Sequence, residues 1–596
     1  MAGPSLALKS FFTPADPDLA HILEEAHDTV PASTKLVCTI GAVSRDVDTL
    51  CELLEAGMTS ARFDFSFGNV EFHQEGLNNL REAMARTGKL CASIMDTLGP
   101  EIVVLNRTAE PIALTAGQTL TLACSTTAKA SATLLPISYP SLTHAGLQPG
   151  RHIFVGQYLF TGSETTSAYL TVQSVSDDGQ SVECLVGNSC VLEGVQLTVH
   201  FGNMSNQAPI LGDRDKAALK AFGAPNAIDY VALSFTRCAD DVRAARSYLD
   251  SIGMGGTKII AKIENKEGLL NHTEIIPEAD AIILSRGSMG NCLDPEKMFM
   301  AQKMLLSECN FAGVPILATR VMDTMTDAPR PTRAEATDVA NLVLDGADGI
   351  VLGSETFRGK FPVAAAETVV AICRQAEFSF DSYRYYQYVT DRMGLNSLDA
   401  LMKDKTEALA TAAVRAATKL RAALIVVFTV TGRTARLIAK YRPAQPVLTL
   451  VMPPGWTPCQ PATSSVDAEA MRSRDDAADA ARAARSRDAV ARQCLQYRGV
   501  LPVAVDTDCG DRRDGPMLHA ALQMALERGL TRPGDRVVVS QCPRKTQRYS
   551  SIMEETGVVK ILTLGADGVS TRVATAVLDS AGHVVGSREE DEADLV

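Results

Sequence analysis

With 596 residues, 46% of them hydrophobic and 21% charged, the chain is too long for one ordinary domain and has the composition of a globular protein with an ample core. Its formal charge of -13 argues against nucleic acid or an anionic membrane as its main partner. No apolar run approaches the roughly 20 residues that cross a bilayer, residues 1–33 lack the pattern of a secretory leader, and 14 scattered cysteines without a C-x-x-C pair suit reduced thiols in a cytoplasmic protein.

After an arm over 1–33, short β-rich apolar runs alternate with segments of helical period. The runs are 36–40, 60–65, 90–95, 230–235, 258–263, 281–285, 315–319 and 349–352. Continuous apolar runs suit parallel strands buried on both faces. Eight of them alternating with helices predict an α/β fold, a (β/α)8 TIM barrel over 34–103 and 207–390. The long interval between the third and fourth runs is rich in Thr, Ser, Val and Gly and alternates at 118–124 and 167–175, which predicts a small β-barrel domain inserted over 104–206. Further runs at 422–429, 446–452, 501–505, 536–540 and 558–564 predict a smaller α/β domain over 391–565. Within it, residues 464–493 are rich in Ala, Arg and Asp and read as an exposed helix or a disordered insertion. Residues 566–596 read as an extension with an acidic, solvated tail.

In such a barrel, chemistry sits at the carboxyl ends of the strands. Arg62, Asp64 and Ser66 fall at the end of the second run, Asp96 and Thr97 at the third, and Lys262 and Glu264 at the fifth. Arg286, Gly287 and Ser288 follow the sixth, and Thr319 and Arg320 end the seventh. Lys262 and Glu264, two apart, leave one strand on the same side. A lysine beside carboxylates suits an anionic substrate held with a divalent metal. For any single residue of the set, a structural ion pair or strand-end cap is the alternative.

Several segments also resemble, in order, the motifs of the pyruvate kinase family: TKLVCTIG at 34–41, ARFDFSFG at 61–68, DTLGPEI at 96–102, KIENKEG at 262–268, RPTRAE at 330–335 and KYRP at 440–443. The resemblance runs from about residue 34 to 565, and detail around Asn265, Asn341 and 425–427 is most similar to cytosolic plant-type members. It implies phosphoryl transfer from phosphoenolpyruvate to ADP, giving pyruvate and ATP in glycolysis, with Mg2+ (or Mn2+) and K+ as cofactors. Homo-tetramers are common in the family. By this resemblance Arg62 holds the moving phosphate, Lys262 stabilises charge on phosphate and enolate, and Thr319 lies near the proton delivered to the enolate carbon. Gly287 and Ser288 would border the substrate. Glu264 would bind magnesium with Ser288 in place of the family's aspartate, and Asp64, Ser66, Asp96 and Thr97 would face potassium. Thr429, Thr431, Gly432, Arg433 and Thr434 lie where regulated members bind a sugar phosphate. A helix cap is the other reading of that loop, because Val430 supplies no basic side chain.

The departures from the family pattern cluster at the same rim. Besides Ser288, Leu98 and Val103 stand for a lysine and an arginine, and Asp64 and Phe67 for an asparagine and a histidine. The inserted domain reads Val155-Gly156-Gln157-Tyr158 where the family has an acidic pair, and its closing basic segment is unrecognisable near 191–203. Two readings follow: a pyruvate kinase with impaired activity, or a catalytically inactive relative serving as a structural or binding component of an assembly.

Overall fold

The computed structural model describes residues 31–590 apart from 101, 107–109, 126, 140–141, 143–146, 157–166, 193–195, 202–207, 291, 397–404, 454–485, 506–513, 548–552, 570 and 579–583. The eight apolar runs form a closed parallel barrel of β1 (Lys35–Thr39), β2 (Met58–Asp64), β3 (Ala92–Asp96), β4 (Tyr230–Leu233), β5 (Lys258–Ile263), β6 (Ala281–Leu284), β7 (Ile316–Thr319) and β8 (Gly349–Leu352). Each strand pairs with its neighbours in sequence, and β8 closes on β1 with Lys35 opposite Gly349. Val37, Ile94, Tyr230, Ile260, Ile283, Leu317 and Val351 fill the interior. Residues facing the other way, such as Leu36, Phe63, Ile259 and Ile350, pack on the surrounding helices. Burial on both faces is why the strands read as unbroken apolar runs.

Local chemistry fixes where the helices begin and end. Asp46 caps the helix Val47–Ala56 by accepting from the Thr49 amide at 3.0 Å. The RPTRAE segment supplies a capping box. In it, Thr332 Oγ1 accepts from the Glu335 amide at 3.2 Å, and Glu335 Oε2 accepts from the Thr332 amide at 2.8 Å, which starts the helix Arg333–Asp345.

Between β3 and β4 the chain leaves the barrel and builds a second closed barrel of seven strands, from Val103–Leu105 to Gln196–Phe201. Val104, Leu122, Ile153, Leu170, Val182 and Leu197 lie in its core. The C-terminal domain is a seven-stranded sheet in the order Val500–Ala504, Val447–Val451, Leu424–Thr429, Arg536–Gln547, Met553–Leu564, Thr571–Leu578, Val584–Glu590. Its first four strands pair in parallel and the remaining pairs are antiparallel. Among the described residues no helix is long and apolar enough to cross a membrane.

Two sequence expectations change here. In the stretch read as an extension, the strands Thr571–Leu578 and Val584–Glu590 prolong the sheet, and Ser587 and Glu590, expected in a solvated tail, pair with Ala576 and Val573. Acid-rich composition hid the β-branched alternation of Thr571–Leu578. Residues 591–596 and the arm over 1–30 lie outside the described residues. The second change concerns the insertion, of which 464–485 also lies outside them. Its end, 486–493, belongs to a helix that continues into a buried turn, and that turn closes the amino-terminal end of the barrel. Arg492 Nε meets the two Asp229 oxygens at 3.1 and 3.0 Å, Gln493 Nε2 donates to the Gly256 carbonyl at 2.9 Å, and Gln496 Nε2 donates to Ser60 Oγ at 2.7 Å. The hydroxyl of the fully buried Tyr230 donates to the Gln493 carbonyl at 2.7 Å. Lys35 Nζ reaches the Val500 carbonyl at 2.8 Å, and burial pulls its ammonium pKa down to about 8. The C-terminal domain thus supplies the floor of the barrel whose rim carries the candidate site.

Candidate active site

β2 and β3 place Asp64 opposite Asp96 in the ladder, so two carboxylates stand at one level of the rim. Both are buried, and Arg62 joins them. Its Nε donates to Asp96 Oδ2 at 2.6 Å, Nη2 to Asp64 Oδ2 at 2.9 Å, and Nη1 to Thr39 Oγ1 at 3.1 Å. Lys262 reaches the same carboxylate from β5, with Nζ 3.1 Å from each Asp96 oxygen, 2.8 Å from Ser234 Oγ and 3.5 Å from Glu264 Oε1. Burial pushes the Asp96 carboxyl up, but Arg62 and Lys262 outweigh it and hold the group below its usual range. Glu264 Oε2 accepts from the Phe235 amide at 2.7 Å. Two cations are thereby fixed side by side in rotamers their partners dictate, the preorganisation that phosphoryl transfer exploits.

Across the cleft, β6, β7 and β8 bring Ser285, Thr319, Arg320, Asp323, Gly353, Ser354 and Glu355 to face Arg62 and Lys262 around a cleft that opens to solvent. Thr319 Oγ1 donates to the Leu284 carbonyl at 3.3 Å. Glu355 is buried, with Oε2 accepting from the Gly353 amide at 2.8 Å and no hydrogen-bond partner for Oε1 among the described residues. Burial, reinforced by the Asp323 charge, pushes its carboxyl up to about 7.

The expected site residues are thus partly united. Arg62, Lys262 and Thr319 line one cleft. Asp64, Asp96 and Glu264 stand beside it as partners of the cations. Gly287 and Ser288 follow β6 in a short helix, Arg286–Gly290. Ser288 is buried, and its Oγ has no hydrogen-bond partner among the described residues. An orphaned hydroxyl oxygen and the Glu264 carboxylate, at the ends of adjacent strands, are a donor set that fits Mg2+, which commonly takes one or two carboxylates and completes its shell with water and substrate oxygens. The potassium set is different. Asp64 and Asp96 are turned onto Arg62 and Lys262, Asp64 Oδ1 accepts from the Ser66 amide at 3.0 Å, and Thr97 Oγ1 donates to the Ala232 carbonyl at 3.0 Å while accepting from the Ser234 amide at 3.2 Å. None of these oxygens is buried without a partner among the described residues.

At the effector-like loop, Thr429 Oγ1 accepts from the Gly432 amide at 3.0 Å, Gly432 has φ 79, and the helix Arg433–Lys440 follows. Thr434 is buried, whereas Thr431 and Arg433 are exposed. A Cβ at Gly432 would stand 2.8 Å from Cys494 Sγ, which packs the loop against the barrel floor. Thr429 thus closes the turn, and the helix after it has no side-chain cap among the described residues.

Sequence reasoning passed over Thr39, Ser234, Asp323 and Glu355. Thr39 and Ser234 sat inside apolar runs, where a hydroxyl reads as a tolerated core residue. Glu355 follows β8 in the segment Gly353-Ser354-Glu355-Thr356, which reads as a departure from a family motif and carries no site role on that reading. Leu98 and Gly99 present their amides to Asp215 at 2.8 and 3.2 Å, so the turn after β3 keeps its shape although residue 98 carries no charge.

Comparison with known proteins agrees with this geometry. The family model described as pyruvate kinase, barrel domain, matches residues 32–366, and that described as pyruvate kinase, alpha/beta domain, matches 407–561. Cytosolic pyruvate kinase 2 of Oryza sativa is 44% identical over 529 residues, covering 88% of this chain and 95% of its own. The cytosolic isozyme of Glycine max is 38% identical over 533 residues, covering 88% and 96%. Among solved structures, a Cryptosporidium parvum pyruvate kinase superposes with a TM-score of 0.73 at 30% identity, covering 91% of this chain and 99% of that one. A structure of the Cryptosporidium parvum enzyme in complex with ADP gives 0.72 at 31% identity, covering 91% and 98%.

Proposed function

Since this chain belongs to the pyruvate kinase family, we propose that it transfers the phosphoryl group of phosphoenolpyruvate to ADP, yielding pyruvate and ATP in cytoplasmic glycolysis, with a magnesium site weakened by Ser288. The observation that carries this reading is the pair Arg62 and Lys262, fixed by Asp64, Asp96, Ser234 and Glu264 at one wall of a cleft whose other wall holds Thr319 and a carboxyl that titrates near neutrality.

Arg62 and Lys262 orient the phosphoryl group and oppose the charge that builds on its oxygens as the bond to the enol oxygen breaks. The enolate left behind needs a proton at its methylene carbon. Thr319 and Glu355 line the wall facing Lys262, and a buried carboxyl with a pKa of about 7 can hold a proton and yield it at physiological pH. A divalent cation held by Glu264 and Ser288 would supply positive charge to phosphoryl and enolate oxygens. With one carboxylate where the family has two, its affinity is lower. The internal pairing of Asp64 and Asp96 supports a weak requirement for potassium.

The loss of the carboxylate at 288 and of the cation at 98 favours a second reading, a non-catalytic member serving as a component of an assembly. Purified protein given phosphoenolpyruvate and ADP should form ATP and pyruvate in equal amounts, and Lys262→Met should lower both together by on the order of 100-fold or more. Absence of ATP at every magnesium concentration would leave the second reading standing.

A further inference from the structure

β7 ends in Thr319-Arg320, and the backbone at Arg320 is left-handed, with φ 60, a conformation uncommon for a side chain of that size. Arg286 holds it there. Its guanidinium is anchored on Asp338 Oδ1 at 2.9 Å and Gln302 Oε1 at 3.3 Å, and it donates to the carbonyls of Thr319, at 2.9 Å, and Arg320. The turn sends the Arg320 side chain back across Gly287, where a Cβ would stand 3.4 Å from both Cγ and Cδ of the arginine. Arg320 thus lines the cleft on the wall it shares with Thr319 and Glu355, and its Nε lies 2.9 Å from Asp323 Oδ2.

The cations of the cleft differ in their partners. Arg62 and Lys262 are buried among Asp64, Asp96 and Glu264, whose side chains are no more than 2% exposed. The Arg320 side chain is 27% exposed and its partner Asp323 43%. An ion pair that open to water is weak, so an incoming anion can displace the carboxylate at little cost. Ser288, next to Gly287, brings no negative charge to that wall. A planar guanidinium fork matches a carboxylate with two parallel hydrogen bonds.

We propose that Arg320 is a substrate-binding residue that takes the carboxylate of phosphoenolpyruvate beside Gly287, leaving Arg62 and Lys262 to the phosphate, with Asp323 as the counter-ion it gives up when substrate enters. The proposal rests on the phosphoenolpyruvate reading above. The test is calorimetric titration of phosphoenolpyruvate, oxalate and inorganic phosphate into the parent, Arg320→Gln, Arg320→Lys and Asp323→Asn proteins. Arg320→Gln should weaken phosphoenolpyruvate and oxalate on the order of 10- to 100-fold and leave inorganic phosphate within about 2-fold. Arg320→Lys should recover part of the loss, because it restores charge but not the fork. Asp323→Asn keeps the guanidinium and should bind phosphoenolpyruvate about 2- to 5-fold more tightly. It carries the test if Arg320→Gln does not fold, and unchanged or weaker binding in it overturns the proposal. So does an Arg320→Gln protein that binds oxalate as the parent does, or one that loses oxalate and inorganic phosphate equally. A parent that binds neither phosphoenolpyruvate nor oxalate overturns the functional reading itself, and this proposal with it.

Discussion

Replacing Glu355 with glutamine removes a buried carboxyl that the structure pushes from 4.5 up to about 7. Between those values the folded protein keeps a proton that the unfolded chain has released, so stability falls as pH rises through that window. It is fully present below about 4.5 and lost above about 7. Moving one carboxyl over that range is worth about 3 kcal/mol, at 1.36 kcal/mol per pH unit. Glutamine keeps the shape and can still accept from the Gly353 amide, but it does not titrate. Urea denaturation of parent and Glu355→Gln proteins from pH 5 to pH 8.5 should therefore show the variant gaining on the parent by roughly 2 to 3 kcal/mol as pH rises. A parent whose Glu355 donates the proton should lose activity above about pH 7, and the variant should not show that fall. Parallel stability curves for the two proteins would refute both the raised carboxyl and the proton role built on it.

Other outcomes follow from the same geometry. Ser288→Asp should lower the magnesium concentration needed for half-maximal activity without restoring full turnover, and adding Leu98→Lys and Val103→Arg should raise the rate further. Lys262→Met should lower kcat by on the order of 100-fold or more. It should also destabilise the barrel, because the buried Asp96 is left with Arg62 as its charged partner. Arg492→Ala should cost about 3 kcal/mol or more in a chemical denaturation experiment, since it strands the fully buried side chain of Asp229 at the barrel floor. A loss below about 0.5 kcal/mol would mean the C-terminal turn does not hold the barrel closed.

The barrel was legible because strands buried on both faces leave continuous apolar runs, and because the polar residues of its rim interrupt those runs at the carboxyl ends. Arg62, Lys262 and Thr319 were found that way. Ser234 was not, although it bridges Lys262 and the main chain of Thr97, because a hydroxyl at the end of an apolar strand gives no signal of its neighbours. The floor of the barrel was invisible for a related reason. Arg492, Gln493 and Gln496 look like surface residues in an Ala- and Arg-rich stretch, and only long-range pairing with Asp229, Gly256 and Ser60 reveals that they hold the floor, the two glutamines buried. The potassium set followed from resemblance, and the pairing of its two carboxylates with Arg62 and Lys262 could not be read from the sequence. The terminal strands were missed because the acid-rich end weighed more than the alternation before it.

The central claim is a pyruvate kinase whose metal site has lost one carboxylate, and a coupled pyruvate-release assay on the purified protein with magnesium varied over a thousandfold range tests it most directly. The account predicts turnover that depends on both phosphoenolpyruvate and ADP, stays below the roughly 10 per second of a typical enzyme at low magnesium, and climbs without saturating until magnesium is well above ordinary levels. Turnover of roughly 10 per second or more that is already saturated at low magnesium would show that another group completes the site, and no turnover at any concentration would contradict the enzymatic reading.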